Sequence, residues 1–185
     1  LSHLNSHFWL LKCCATANFA RVTLLLSTFD SPIGTLNLIA DEHVLLAANL
    51  SSVKALKESL SQEDSLREIT SVKKIPVITD LLTDYFDGDI AALSAIHVRQ
   101  TGGHFSQEAW KAMKKIRPGK VISYAELAVR AGSSAAIRAA GSACAKNAIV
   151  LVVPCHRIVK TGGALGNYAY GLAKKEWLLR HEGAL

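Results

Sequence analysis

The spacing of hydrophobic residues changes character near residue 100, and that change limits the folds open to this chain. Before that point apolar residues come in short β-rich runs: VTLLLSTF at 22–29, TLNLIA at 35–40 and VLLAANL at 44–50. The DSPIG segment at 30–34 carries a proline and a glycine and reads as the turn between the first two runs. Residues 51–61 begin with serine and place Val53, Leu56 and Leu60 at helical spacing. After a polar loop, PVITDLLTDYF at 76–86 reads as a helix with proline in its first turn, stopped by DGD. The front half is therefore expected to be a small α/β sheet domain. Its acidic residues are scattered and read as solvent-facing, and nothing in it resembles a site.

Past residue 100 the pattern becomes helical. In HFSQEAWKAMKKI, 104–116, Phe105, Ala109, Ala112, Met113 and Ile116 share one face. SYAELAVRAG, 123–132, opens with Ser123 and places Glu126 three residues later, a capping-box pattern. A second helix is expected in SSAAIRAAGSACAKN after a short turn, and two helices joined this way outline a helix-turn-helix. Residues 135–145 are almost all Ala, Gly, Ser or Cys, with Ile137 and Arg138 projecting. A helix this bare serves either tight helix packing or close approach to a nucleic-acid groove. The apolar run AIVLVV, 148–153, reads as a buried strand that delivers Pro154 and Cys155. A glycine-rich loop at 160–171 and a last helix, LAKKEWLLRHEG, complete the chain, with Trp177 and Leu178 packed inward. The boundary near 94–104 gives an α/β domain at 21–98 and a mainly helical domain at 99–185. Residues 1–20 are expected to be a disordered leader outside the fold.

Charge follows the same division. Residues 1–98 hold 7 Lys and Arg against 11 Asp and Glu, a net −4, whereas residues 99–185 hold 14 against 4, a net +10. A basic back half suits a polyanionic partner, or else a solvated surface. No apolar run approaches the roughly 20 residues that span a bilayer, and the short Phe8–Leu11 segment lacks the flanks of a secretory signal. The four cysteines, Cys13, Cys14, Cys144 and Cys155, fit free thiols in a reducing compartment better than a disulfide framework. Zinc bound through Cys13, Cys14 and a histidine is disfavoured by the adjacent spacing.

In VVPCHRIVKTGG, 152–163, a thiol, an imidazole and a guanidinium are consecutive. Cys155 is the candidate nucleophile, because the small thiolate fraction at neutral pH is strongly nucleophilic and a basic neighbour enlarges it. His156 is expected to reach the sulfur through a water, with Glu182 orienting its other ring nitrogen. An inert core cysteine and a cysteine hydrolase built on Cys155, His156 and Glu182 remain alternative readings.

The ordered set SYAELA, Arg138, Asn147, PCHRIV, GNY and KEWLLRHEG resembles the O6-alkylguanine-DNA alkyltransferases, densely over 99–185 and more loosely through DSPIG and YFDGD. The resemblance implies a winged helix-turn-helix-like motif that binds duplex DNA through the minor groove, without sequence preference. It also implies direct-reversal repair: an O6-alkylguanine, or an O4-alkylthymine, is flipped out of the stack and its alkyl group passes irreversibly to Cys155. His156 and Glu182 are then the activating relay, and Tyr124 the proton donor to the departing base. Asn147 is the brace of the active-site turn, and Arg138 the finger that fills the stack. Ala139 and Ser134 become DNA contacts. Tyr168, Ala169, Tyr170 and Ile158 become walls of the base pocket, within a loop running from Gly166 to Gly171. Arg157 is expected to be structural. No cofactor or metal is expected. The expected protein is a cytoplasmic or nuclear monomer whose partner is alkylated double-stranded DNA. The alternative within the resemblance is a non-catalytic lesion-binding protein, against which Cys155 itself argues. HFSQEAW departs from the usual Thr-x-Phe-Gln form, a packing difference. Ile137 and Tyr170 also depart from the family pattern, where alanine and glycine are usual. Tyr170 is expected to narrow the pocket against bulky alkyl groups.

Overall fold

The computed structural model describes residues 23–185. The whole of the expected leader, and with it Cys13 and Cys14, lies outside the described residues.

The front half is built on strands β1 (Leu24–Ser31), β2 (Gly34–Asp41) and β3 (Val44–Asn49), which pair antiparallel in sequence order. The β1–β2 turn falls at Pro32 and Ile33, inside DSPIG, and Gly34 follows it with φ of 110°, a conformation side chains rarely adopt. Helix α1 (Val53–Glu58) is capped by Ser52, whose hydroxyl accepts from the Ala55 amide at 3.2 Å. Residues read as a polar loop contribute β4 (Ile69–Ser71), parallel to β1. After helix α2 (Ile78–Phe86), β5 (His97–Val98) joins β3 in parallel, so the sheet order is β4-β1-β2-β3-β5. Alternation in β2 sends Ile39 to a small cluster with Leu46, Ala47 and Leu56 of α1. Leu36, Leu38 and Ala40 face the opposite way, into the main core.

That main core runs without a break into the back half. It joins Ile78, Leu82 and Tyr85 of α2 to residues of α3 (His104–Lys114), α4 (Tyr124–Arg130), α5 (Ile137–Ala145) and α6 (Leu172–His181). The capping box of α4 is present: the Ser123 hydroxyl accepts from the Glu126 amide at 3.1 Å, and the Glu126 carboxylate accepts from the Ser123 amide at 2.9 Å. Ala140 and Ala143 of α5 are fully buried, and Trp110 of α3 donates its indole N–H to the Ala143 carbonyl at 2.9 Å. The small-residue helix is thus a packing device on that face.

Two expectations are corrected here. The run 148–153 is buried but is not a strand. Ile149 makes a single parallel bridge to Ala48, after which the chain turns, with Leu151 at φ 74° and the Val153 amide donating to the Ile149 carbonyl at 3.0 Å. An apolar run can be buried without a ladder when its polar backbone finds local partners. The acidic residues of the front half are also not all solvent-facing. Asp64 is buried, paired with Arg67 at 3.2 Å and with Arg99 at 2.9 Å, while Arg67 also reaches Asp41 at 2.8 Å. This network ties the first residues of the back half to the sheet domain.

Candidate active site

Pro154 ends the buried turn, and Cys155–Arg157 forms one turn of 3₁₀ helix leading into β7 (Ile158–Val159), which pairs parallel with β6 (Ile122–Ser123). This geometry turns the three consecutive side chains of Cys155, His156 and Arg157 to different places. Cys155 is partly buried and lines a cavity of about 690 Å³, whereas His156 and Arg157 are buried behind it.

Behind the thiol, His156 sets its Nε2 3.1 Å from Glu182 Oε1, at the C-terminal end of α6. The carboxylate keeps the proton on Nε2, so Nδ1 is left as a bare acceptor. That Nδ1 is buried and has no hydrogen-bond partner among the described residues. Burial holds the His156 pKa below its ordinary value, partly opposed by the bond to Glu182, so the ring is neutral near pH 7. Glu182 accepts from four donors: His156, Arg157 Nε and Nη2 at 2.8 Å each, and the Tyr85 hydroxyl at 2.8 Å. Burial alone would raise its pKa, but the bonds and charges of His156 and Arg157 outweigh burial and hold it down to about 2. Arg157, expected to be structural, also donates to the Ile116 carbonyl at 2.5 Å. Tyr85 comes from α2, so the front half does reach the site, contrary to the sequence reading.

Around the thiol, Asn147 organises the turn that replaces the expected strand. Its amide donates to the Val153 carbonyl at 2.7 Å, and its oxygen accepts from the Ile149 amide at 3.1 Å and from Gln100 at 3.2 Å. Burial pushes the Cys155 pKa up, and a bond from the Asn147 side chain, the charge of Lys175 and nearby backbone amides pull it back. At rest the sulfur is a thiol. Lys175 is fully buried and donates to the Ile158 and Leu165 carbonyls, stapling α6 to both β7 and the glycine-rich loop.

The cavity walls come from three segments. Tyr124 begins α4; burial raises its hydroxyl pKa, and the two thiols, Cys144 and Cys155, raise it further. Ile137, Arg138, Gly141 and Cys144 present the face of α5 opposite its buried alanines. Lys160, Tyr168, Ala169 and Tyr170 come from the loop. Tyr168 and Tyr170 meet edge to face at 5.7 Å, and the Tyr168 hydroxyl is the second buried side-chain polar atom, after His156 Nδ1, without a partner among the described residues. Burial raises the Tyr170 hydroxyl pKa, partly opposed by a bond from the Leu50 backbone just after β3.

Of the residues expected to form the site, Cys155, Asn147, Tyr124, Arg138, Tyr168, Ala169 and Tyr170 therefore meet at one cavity. Ile158 does not: it is fully buried on β7, where it packs into the main core behind the cavity lining. Ala139 and Ser134, expected as DNA contacts and not as pocket walls, lie outside the cavity lining, and Ser134 is exposed in the turn before α5. Sequence reading missed Tyr85, Lys175, Cys144 and Lys160. Only Cys144 and Lys160 carried a signal, as a thiol on the bare helix and a cation opening the glycine-rich loop.

Residues 104–184 match the family model of the 6-O-methylguanine DNA methyltransferase DNA-binding domain. A Salmonella typhimurium methylated-DNA–protein-cysteine methyltransferase is 44% identical over 108 residues, a stretch of 58% of this chain and 63% of that protein's length. A Homo sapiens protein of the same name is 37% identical over 169 residues, covering 85% of this chain and 79% of its own. Among solved structures, the Mycobacterium tuberculosis OGT in complex with DNA superposes with a TM-score of 0.71 at 31% identity, covering 86% of this chain and 93% of that one.

Proposed function

Because this chain belongs to the methylated-DNA–protein-cysteine methyltransferase family, we propose that it repairs alkylated DNA by direct reversal, with Cys155 as the permanent alkyl acceptor. The observation that carries this reading is the cavity itself. It has the size of a small-ligand site, holds the Cys155 thiol backed by a buried neutral imidazole, and is lined by Arg138 of α5, whose guanidinium has no partner among the described residues.

In this reading α4 and α5, with the β6–β7 pair, act as a winged helix-turn-helix laid in the minor groove. The basic domain from residue 99 supplies sequence-independent phosphate affinity. An O6-alkylguanine, or an O4-alkylthymine, is everted into the cavity. Eversion costs a few kcal/mol of stacking and pairing, and Arg138 entering the stack offsets part of it. Ser134 and Ala139 lie along the DNA face rather than in the pocket.

The Cys155 proton passes through a water to His156 Nδ1, and Glu182 stabilises the imidazolium that forms. The thiolate attacks the alkyl carbon, so a carbon–sulfur bond forms as the bond from carbon to O6 breaks. Tyr124 gives its proton to a ring nitrogen as guanine leaves, and solvent exchange returns Tyr124 and His156 to their resting states. The product is a thioether, which no group in the cavity can hydrolyse, so each molecule acts once. The protein is read as a monomer in whichever compartment holds the DNA.

Incubation with duplex DNA carrying O6-methylguanine, followed by peptide mass spectrometry, tests the proposal. The Cys155 peptide should gain about 14 Da, one methyl in place of a hydrogen. Lesion binding with no mass gain would instead make the protein a recognition module. Repeated turnover of an ester would make it a hydrolase.

A further inference from the structure

Lys160 is a cavity residue that the relay does not use. It is the first residue after β7 and is exposed, yet it lines the cavity wall. Its backbone is fixed by a tight turn: its amide donates to the Ala164 carbonyl at 2.8 Å, and its carbonyl accepts from the Gly163 amide at 3.0 Å. Gly162 and Gly163 take φ of 90° and 88°, which lets the loop fold back so sharply. The stem of Lys160 lies against Gly166, with Cγ 3.4 Å from where a Cβ would stand there, and the Tyr124 ring approaches the same point equally closely at 3.4 Å. Lysine stem, glycine and tyrosine ring thus form one continuous piece of rim.

The ammonium has no hydrogen bond or ion pair with any described residue, although nearby lysines do: Lys174 bonds the Ile33 carbonyl, and Lys175 bonds two carbonyls. Arg138 is the other cation of the lining, and no Asp or Glu lines the cavity at all. A loop that holds an exposed cation at a cavity mouth, unneutralised and next to a second one, leaves room for an anion there.

We propose that Lys160 is a phosphate-binding residue that grips the backbone phosphate of the everted nucleotide at the cavity mouth, an inference that rests on the DNA-repair reading above. A nucleotide that enters base first leaves its own phosphate at the rim as its nearest full charge. Neither the ring nor a methyl or benzyl substituent carries a charge for the ammonium to recognise. Arg138 acts on the duplex that the base has left, and Lys160 acts on the strand that leaves it. Together they hold the open state from two segments of the chain.

The test compares the parent protein with Lys160→Gln and Lys160→Arg, all in a Cys155→Ala background for binding and with Cys155 intact for transfer. On a duplex carrying one O6-methylguanine, Lys160→Gln should make the plot of log affinity against log salt shallower by about 0.9, the release of one phosphate's counterions. Lys160→Arg should restore the slope. On an undamaged duplex the change should be smaller, since no everted phosphate reaches the mouth. The ratio of methyl transfer from the duplex to transfer from the free O6-methylguanine base should fall about tenfold in Lys160→Gln. An unaltered salt slope, an equal change on damaged and undamaged DNA, or an unaltered transfer ratio would overturn the assignment. If the parent protein transfers no methyl group at all, the repair reading fails on its own, and the salt-slope arm still decides whether Lys160 contacts phosphate.

Discussion

Replacing Glu182 by glutamine should cost the fold about 3 kcal/mol near pH 7. Glu182 is 3% exposed and holds a pKa of about 2 against an ordinary 4.5. That difference of roughly 2.5 pH units converts to about 3 kcal/mol of stabilisation of the ionised form by the fold. The partner side gives the same scale: removing the carboxylate leaves the buried Arg157 guanidinium without its counter-charge, a loss of about 3–5 kcal/mol in buried pairs. Because the folded pKa lies below the unfolded one, the contribution is fully present above about pH 4.5 and is lost as pH falls towards 2. Urea denaturation of the parent and Glu182→Gln proteins, repeated down the pH scale, reads the difference directly. It should be near 3 kcal/mol at neutral pH and shrink through the window from 4.5 to 2. A difference under about 1 kcal/mol, the worth of an exposed pair, or one that does not change with pH, would refute this account of the relay's buried charge.

Three further outcomes follow from particular contacts. Tyr170→Gly should raise benzyl transfer relative to methyl transfer by about tenfold or more, since the ring occupies the cavity wall; comparing the two rates checks it, and an unchanged ratio defeats it. Gly102→Ala should destabilise by about 1–3 kcal/mol, read as a lower melting temperature. The added Cβ would stand 2.5 Å from Cη2 of the buried Trp110, so either the indole or the loop must shift. Arg138→Ala should slow transfer from duplex DNA by about tenfold or more, because the share of the eversion cost that its side chain offsets is lost, while transfer from free O6-methylguanine changes far less; equal losses on both substrates would point to a damaged pocket instead.

Much of this architecture was legible because it is local. The proline-and-glycine turn of DSPIG, the Ser123–Glu126 capping box and the apolar stripe of 104–116 are short-range patterns, and each forms the element its pattern implies. The consecutive Cys155, His156 and Arg157 were equally visible. Their division between cavity and interior was not, because it depends on one turn of 3₁₀ helix. The part Tyr85 plays left no trace in the chain: it meets Glu182 across 97 residues, and α2 otherwise reads as an ordinary core helix. The 148–153 run was misread because strand and buried turn share the same apolar composition. What decides between them is the left-handed Leu151 and the bonds from Asn147. Ile158, which the resemblance implies as a pocket wall, instead packs into the main core on β7, a long-range placement that its local sequence does not reveal.

The most direct test of the central claim is a titration. A fixed amount of protein is mixed with rising amounts of duplex DNA carrying O6-methylguanine, and the lesions removed are counted against the methylated Cys155 recovered. The account predicts a plateau at one lesion per protein molecule, with an equal yield of S-methylcysteine and no removal by Cys155→Ala. Removal that climbs past one equivalent, or that survives the loss of the thiol, would contradict it.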